Sequence, residues 1–461
     1  MKMSTKESIK YLYRGACNVI LTFVIAAVFW VIWNNRLNGL LYQRYMNKGN
    51  LLMAFVYTVV AILFMYAFGG YKIGVNKKSH VVLSQVLAMF CCNIVELVIT
   101  ILMAGKVAVI GRIFVSYFQL WIIQSVVLFG ITISVMSLYR HIFPPYRMLH
   151  IYGDHSNNLT SKMNARDDKY IIDAEVSCHE PLEELFEVIS RYDAVLINDV
   201  PSGIRNKILK ECFDQSKRVY FTPKISDIIV KNSDELHLFD TPIYFCRNLG
   251  LSSGQSFIKR CGDIAISLIG IVLTSPIMLV TAFAIHHYDK GPVFYRQVRC
   301  TIGGKEFEVL KFRSMIVNAE ANGKARLATE NDNRITPVGK FIRATRIDEL
   351  PQFFNILKGD MSIVGPRPER PEINEEYCKE VPEFAYRLRV KAGLTGYAQV
   401  YGKYNTTSYD KLKLDMIYVQ KCSALLDIQL ILLTLRVIFT KEATEGLEVG
   451  QETASTGNGN Q

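Results

Sequence analysis

Histidine is absent from the part of this chain where common hydrolytic and metal chemistries would need it. None of the eight histidines lies beyond His287. That argues against a histidine nucleophile, a Ser–His relay or His-ligated zinc in the C-terminal region. Carboxylates, Lys, Arg, Tyr and backbone amides remain as its reactive groups. The ten cysteines show neither paired metal spacing nor a regular framework. Reduced, mostly structural thiols in a cytoplasmic context are therefore expected. The net charge is +11, yet no recognition helix or zinc finger accompanies it. The charge is thus assigned to an anionic membrane face or phosphorylated substrates, and nucleic acid is not expected as a partner.

Charge itself is scarce in the first 140 residues. Four stretches run almost free of it: Gly15–Trp33, Gly49–Tyr71, Ser79–Gly105 (interrupted by Glu96) and Ile113–Leu138. Each is long enough for a hydrocarbon core of about 30 Å, which needs roughly 20 apolar residues. The first starts with basic residues but lacks a small-residue cleavage site, and further spans follow, so an uncleaved helix is expected. Basic residues are denser before the first run, between the second and third, and after the fourth. That bias places the N-terminus inside and returns the chain to the cytoplasm after four crossings. Glu96 marks either a polar pathway or a position in a helix–helix contact or the interior of the bundle.

Pro144-Pro145 closes this region, and residues 1–146 are assigned to four transmembrane helices. Residues 147–248 read as a small α/β module. Apolar strands at Met148–Tyr152, Ala194–Asn198 and Arg218–Phe221 alternate with helical patterns at Pro181–Arg191 and Gly203–Gln215. The alternation predicts a parallel, Rossmann-like sheet. The first strand is followed by GDHSNN, not by a glycine-rich phosphate turn, so a structural or regulatory module is expected over a cofactor site.

A Ser/Gly linker leads into Ile264–Tyr288, which carries no formal charge and has Ser275-Pro276 at its midpoint. A fifth crossing would leave the remaining acids outside the cell, away from nucleotide-activated substrates. A re-entrant helix–break–helix over 264–288 is expected instead, its freed backbone groups satisfied within the protein or by the Ser275 hydroxyl. Residues 249–440 then form a mixed α/β catalytic domain. Leu425–Phe439, with only Asp427 and Arg436 as charges, reads as an interfacial helix. The polar tail 441–461 is expected to be disordered.

Within that domain Asp348 and Glu349 stand together among Arg343, Arg346, Lys358, Arg367 and Arg370. With histidine absent, the economical chemistry is one whose nucleophiles are already anions. An Asp carboxylate attacking a phosphoanhydride qualifies, as does a phosphate monoester attacking in turn. The obstacle is charge repulsion, which Mg²⁺ and surrounding cations relieve.

The motifs KFRSM (Lys311–Met315), RITPVGKFIRATRIDELPQFFNILKGDMSIVGPRP (Arg334–Pro368), AGLTGYAQVYGK (Ala392–Lys403) and LDMIYV (Leu414–Val419) resemble the bacterial polyprenyl-phosphate hexose-1-phosphate transferases. These are monotopic phosphoglycosyl transferases that begin capsule, exopolysaccharide and O-antigen synthesis. The resemblance covers about 255–440, and the four preceding spans and α/β module match the layout of long-form members. It implies Asp348 as nucleophile on the sugar-bearing phosphate of a UDP-sugar, displacing UMP, and Glu349 as metal ligand or acceptor-positioning group. The Asp348–Glu349 pair would hold Mg²⁺. Lys311, Arg343 and Arg367 would bind phosphate charge or the nucleotide, and Asp415 would be a further substrate-binding acid or a structural ion-pair partner. Ser275-Pro276 would be the break in the re-entrant helix. Undecaprenyl phosphate is the implied acceptor, the cytoplasmic face of the bacterial inner membrane the implied location, and a homodimer is compatible with the family.

Departures from the pattern are Ala392 before Gly393, Tyr397 in place of Trp, Lys403 in place of Arg, and Cys300-Thr301. They touch nucleotide-loop details, not reaction class. Gly393, Gly396 and Gly402 are expected to serve tight turns. Asp360 is expected at a helix end or turn. Two alternatives stand beside the main reading: a membrane glycosyltransferase that releases UDP, and a catalytically silent scaffold of a polysaccharide assembly.

Overall fold

The computed structural model describes residues 5–153, 159–238, 240–246, 250–317, 334–402 and 406–438. Lys403 and the tail 441–461 fall outside the described residues. The chain divides into two compact units, 1–222 and 223–461.

The first unit begins with helices α1 (Thr5–Ile32), α2 (Asn47–Phe68), α3 (Lys78–Ala104) and α4 (Ile110–Ile142), which contain most of the four expected apolar runs. Gly69 (φ +77°) and Gly105 (φ +60°) end α2 and α3 in the left-handed conformation that glycine adopts without steric cost. Leu21, Ile25 and Phe29 on α1, and Tyr57, Ala61 and Met65 on α2, recur at helical spacing and are buried. α1 packs on α2 and α4, and α3 packs on the same two helices. Phe23, Phe55, Leu63 and Val126 point outward and are exposed. Apolar exposure on that scale fits lipid. Five helices in the described residues, these four and one in the second unit, are long and apolar enough to cross a membrane.

Glu96 lies among the buried residues of α3, which answers its sequence ambiguity in favour of the interior. Other polar groups share that interior. The Tyr57 hydroxyl donates to Asn93 Oδ1 at 2.7 Å, and Thr132 Oγ1 donates to Gln85 Oε1 at 2.8 Å.

The α/β module follows within the same unit: β1 (Tyr146–Tyr152), α5 (Leu159–Asn164), β2 (Tyr170–Ser177), α6 (Leu182–Ser190), β3 (Ala194–Asn198), α7 (Ser202–Asp214) and β4 (Arg218–Phe221). The strands are parallel in the order β2-β1-β3-β4. β3 and β4 match their expected spans. β2 was not singled out from sequence, because its apolar residues are interrupted by Asp173 and Glu175 and it sits at the sheet edge. The GDHSNN segment beyond Gly153 lies outside the described residues.

The second unit opens with α8 (Ile225–Lys231) and the antiparallel hairpin β5 (Asp234–Leu238)–β6 (Thr241–Phe245). α8 packs Ile225 and Ile228 against Phe384, Leu412 and Met416, so this unit begins ahead of residue 248. Next come α9 (Ser253–Asp289), the hairpin β7 (Phe294–Cys300)–β8 (Glu306–Phe312), α10 (Pro337–Ala344), α11 (Gln352–Lys358), β9 (Ser362–Val364) and α12 (Pro371–Glu380). The unit closes with β10 (Gly393–Thr395), α13 (Tyr397–Tyr401), α14 (Ser408–Lys421) and α15 (Ala424–Ile438). β9 and β10 pair in parallel.

α9 starts at a capping box, with Gln255 N donating to Ser252 Oγ and Ser252 N to Gln255 Oε1. It continues unbroken through Pro276, where the sequence predicts a helix–break–helix. The reason is local. Proline removes one donor, which leaves the Val272 carbonyl without its usual partner, and Ser275 Oγ donates to that carbonyl at 2.9 Å. Leu268, Ile269, Val272, Leu273, Leu279 and Phe283 on this helix are exposed. α15 is also two-faced, with Leu430 and Leu433 buried and Leu425, Ile428 and Leu435 exposed.

Candidate active site

Asp348 and Glu349 owe their placement to a sharp turn. α10 starts with Thr336 Oγ1 accepting from Gly339 N at 2.9 Å and with Pro337 at its first position. After it ends, Arg346 adopts the left-handed conformation, φ +55°. That conformation costs a residue with a Cβ about 1 kcal/mol. It turns the chain into a single 3₁₀ turn, Ile347–Glu349, which carries the acid pair, and Pro351 then leads into α11. A strained backbone held beside ionisable groups is typical of functional sites.

The two acids have opposite environments. Glu349 is clamped: Arg367 Nη2 lies 3.1 Å and Lys311 Nζ 3.4 Å from Oε1, and Arg346 Nη1 lies 3.7 Å from Oε2. Burial pushes its carboxyl up, but these three cations outweigh burial and hold it well below the usual range. Asp348 forms no hydrogen bond or ion pair among the described residues. Burial first, and Glu349 second, raise its carboxyl to about 6, against the pull of Lys311, Arg343 and Arg367. It remains largely ionised at neutral pH, with its oxygens uncommitted. Burial likewise lowers the Lys311 ammonium, opposed by Glu349.

Arg367 is aimed by its backbone. A Cβ on Gly393 would meet Gly365 N at 2.0 Å, and one on Gly396 would meet Gly365 O at 2.1 Å. Gly365 N donates to Thr395 O, and Gly393 N donates to Pro366 O. Gly393 and Gly396 therefore serve close backbone approach; neither has a positive φ, contrary to the expectation of tight turns. On the far side, Arg387 Nη2 donates to the Arg367 carbonyl at 2.8 Å. Arg387 is itself held by Asp415 Oδ2, at 2.9 Å from Nε and 2.8 Å from Nη2, and both side chains are 1% exposed. Glu369 joins the cluster through Lys411, through Arg387 Nη1 at 3.7 Å and through Arg299 Nη1 at 3.9 Å. Burial raises the Glu369 carboxyl, yet Lys411 and Arg387 dominate and bring it to about 2.

The sequence candidates divide accordingly. Lys311, Arg367, Asp348 and Glu349 come together. Arg343, in the last turn of α10, is close enough to act electrostatically on Asp348 and forms no side-chain hydrogen bond among the described residues. Asp415 reaches the site through Arg387 and the Arg367 backbone. Ser275 and Pro276 lie within α9. Arg313, on the same strand pattern as Lys311, pairs instead with Asp289, and Asp360 lies beside Lys358 at 3.1 Å.

Several supporting residues escaped the sequence reading. Lys259 Nζ donates to Val364 O at 2.9 Å and to Asp427 Oδ2 at 2.6 Å. Asp263 Oδ1 accepts from Ser362 Oγ and Ile363 N. Both tie α9 to β9, and their charges at the mouth of an apolar run were the available signal. Arg387 and Glu369 sat in charge-rich segments with nothing to separate them from solvated neighbours.

Metal-binding capacity is modest. No cluster of three or more His, Cys, Asp or Glu ligands occurs among the described residues. Magnesium is commonly held by one or two carboxylates together with substrate phosphates and water. Asp348, with both oxygens free, and the adjacent Glu349 fit that pattern.

Comparison with known proteins points the same way. Residues 254–441 match the family described as bacterial sugar transferase. A UDP-N-acetylgalactosamine-undecaprenyl-phosphate N-acetylgalactosaminephosphotransferase of Aeromonas hydrophila is 40% identical over 264 residues, 54% of this chain and 60% of the relative. A UDP-glucose:undecaprenyl-phosphate glucose-1-phosphate transferase of Klebsiella pneumoniae is 39% identical over 245 residues, half of each chain. A transferase of the same description from Caulobacter vibrioides is 36% identical over 189 residues, 40% of this chain and 70% of the relative. The chain spans 60% and 50% of the length of the first two relatives.

Proposed function

Because this chain belongs to the bacterial sugar transferase family, we propose that it transfers a hexose-1-phosphate from a UDP-sugar to undecaprenyl phosphate. Asp348 attacks the sugar-bearing phosphorus. The P–O bond to UMP breaks, UMP leaves with the bonding electrons, and an aspartyl-phosphosugar remains. A phosphate oxygen of undecaprenyl phosphate then attacks the same phosphorus and releases Asp348, forming an undecaprenyl-diphospho-sugar. Neither step requires a neutral base, consistent with a site built without histidine.

The observation that carries this reading is the asymmetry of the acid pair. Glu349 has its charge neutralised by Lys311, Arg346 and Arg367, while Asp348 is ionised and unbonded. Arg343, Lys311 and Arg367 supply positive charge for the diphosphate. Mg²⁺ held by Asp348, Glu349 and the donor diphosphate would neutralise charge on the departing nucleotide.

The membrane arrangement belongs to the same proposal. α1–α4 cross the bilayer as a bundle, α9 enters and leaves by the cytoplasmic face with its bend at Ser275-Pro276, and the site faces the cytoplasm of the bacterial inner membrane. Labelling of residues just after Tyr288 from outside the cell would overturn the re-entrant arrangement.

Asp348→Asn in membranes with radiolabelled UDP-sugar tests the nucleophile. Loss of lipid-linked product is expected, with a phosphosugar adduct trapped only on the wild-type chain. Undiminished product would end the assignment. Release of UDP in place of UMP would favour glycosyl transfer without phosphate.

A further inference from the structure

A second cationic site lies in the first unit, which does not contain Asp348. A cavity of about 80 Å³ opens where the start of α1, the end of α4 and the edge of the parallel sheet meet. At roughly 30 Å³ per water in the liquid, it has room for a group the size of a few waters. Five cations line it, Lys10, Arg14, Arg140, Lys169 and Arg218, against two carboxylates, Glu7 and Asp168.

Both carboxylates are already engaged. Asp168 lies 2.9 Å from Arg140 Nη2 and 2.9 Å from Arg166 Nε. Glu7 pairs with Arg218 and accepts from the Tyr146 hydroxyl at 2.6 Å. Tyr146 in turn accepts from Lys10 Nζ at 2.5 Å. Arg14 and Lys169 are left over. Arg14 donates through Nη2 to the Tyr139 hydroxyl at 2.9 Å, but its Nε is buried without an acceptor. The Lys169 ammonium has a ring contact, 4.9 Å from the Tyr170 centroid, and meets no carboxylate among the described residues. Burial depresses this ammonium, and Arg166, Arg14 and Arg218 push in the same direction against Tyr220. Both side chains are half-buried, and cations held there without a carboxylate leave donors for an added anion.

We propose that this cavity binds a phosphate-bearing anion, held by the Arg14 guanidinium and the Lys169 ammonium and bordered by Arg140, Arg218 and Lys10. A tetrahedral oxyanion offers several acceptors to donors carried by α1, α4 and the sheet, and Arg and Lys are the side chains suited to it. The ligand is either a soluble phosphate compound or the headgroup of an anionic lipid. The proposal is independent of the transferase reading, because it concerns residues with no part in the acid-pair chemistry.

The test uses the full chain in phosphatidylcholine nanodiscs. One arm titrates inorganic pyrophosphate by equilibrium dialysis, and the other includes phosphatidic acid and counts retained lipid per chain by mass. Lys169→Gln or Arg14→Gln should weaken binding of one probe about tenfold or more, and Lys169→Arg should restore it. Loss confined to phosphatidic acid assigns a lipid headgroup, and loss confined to pyrophosphate assigns a soluble ligand. A readout needing no variant is hydrogen exchange on the wild type, where the bound probe should protect 139–146 and 166–170. Equal binding by wild type and both Gln variants, or no protection of these segments by either probe, overturns the proposal.

Discussion

Asp415→Asn separates a substrate-binding acid from a structural one. The Arg387–Asp415 pair makes two contacts of 2.8 and 2.9 Å with both side chains 1% exposed. Removing one partner of a buried pair costs about 3–5 kcal/mol, because the other charge is left uncompensated. Asparagine keeps one acceptor and Glu369 stays 3.7 Å from Arg387, so the lower end applies, about 3 kcal/mol. For a unit of this size that is a fall of about 6–12 °C in apparent melting temperature. Turnover should fall with it, because Arg387 loses its hold on the Arg367 carbonyl. Burial holds the Asp415 carboxyl above its usual range even against Arg387, so the pair is costly to bury. Replacing both partners, Arg387→Met with Asp415→Leu, should therefore recover most of the stability while transfer stays low. The assays are thermal unfolding in detergent and initial rates with varied UDP-sugar. An unchanged melting temperature with a raised KM for the donor would refute the structural role.

Three further outcomes follow from the same geometry. Gly393→Ala should impair both folding and transfer, since its Cβ would lie 2.0 Å from a backbone nitrogen that has no flexible end to move; Gly254→Ala, with nothing within 4 Å, is the control, and equal activity of the two variants would contradict the close-approach argument. Glu369, brought to about 2 in the folded chain, contributes up to about 3 kcal/mol of stability. With the folded value depressed, that contribution is present above the unfolded value of about 4.3 and lost as pH falls toward 2. Unfolding midpoints of wild type and Glu369→Gln should thus converge in acid, and parallel curves would sink the assignment. Ser275→Ala should cost about 1 kcal/mol by leaving the Val272 carbonyl unpartnered, seen as faster hydrogen exchange around Pro276; unchanged exchange would count against the patch.

Legibility followed the kind of force involved. The apolar runs and the strand Ala194–Asn198 were readable because burial imposes a local pattern, and Arg218–Phe221 because no acid interrupts its short run. β2 was not, because an edge strand with one wetted face keeps Asp173 and Glu175. Asp348 and Glu349 were readable as chemistry, since adjacent acids in a cationic, histidine-free stretch narrow the options, whereas Lys311 and Arg367 were named by the family resemblance. The network behind Arg367 was invisible because Arg387, Asp415 and Glu369 meet only through tertiary contacts. At the proline of α9 the freed carbonyl is met by the Ser275 hydroxyl. Sequence named the residue able to satisfy the freed carbonyl, and the helix is continuous there.

That hydroxyl has a consequence for where α9 can reside. The carbonyl orphaned by Pro276 is answered from within the helix, by a side chain three residues away, so the proline site requires neither water nor a neighbouring chain to satisfy it. A proline satisfied in this way is indifferent to depth. Lys259 and Asp263, near the other end, are committed to the backbone of β9. The start of α9 and strand β9 are therefore coupled, and a shift of the helix along its own axis would be passed to the strand that leads into Gly365 and Arg367.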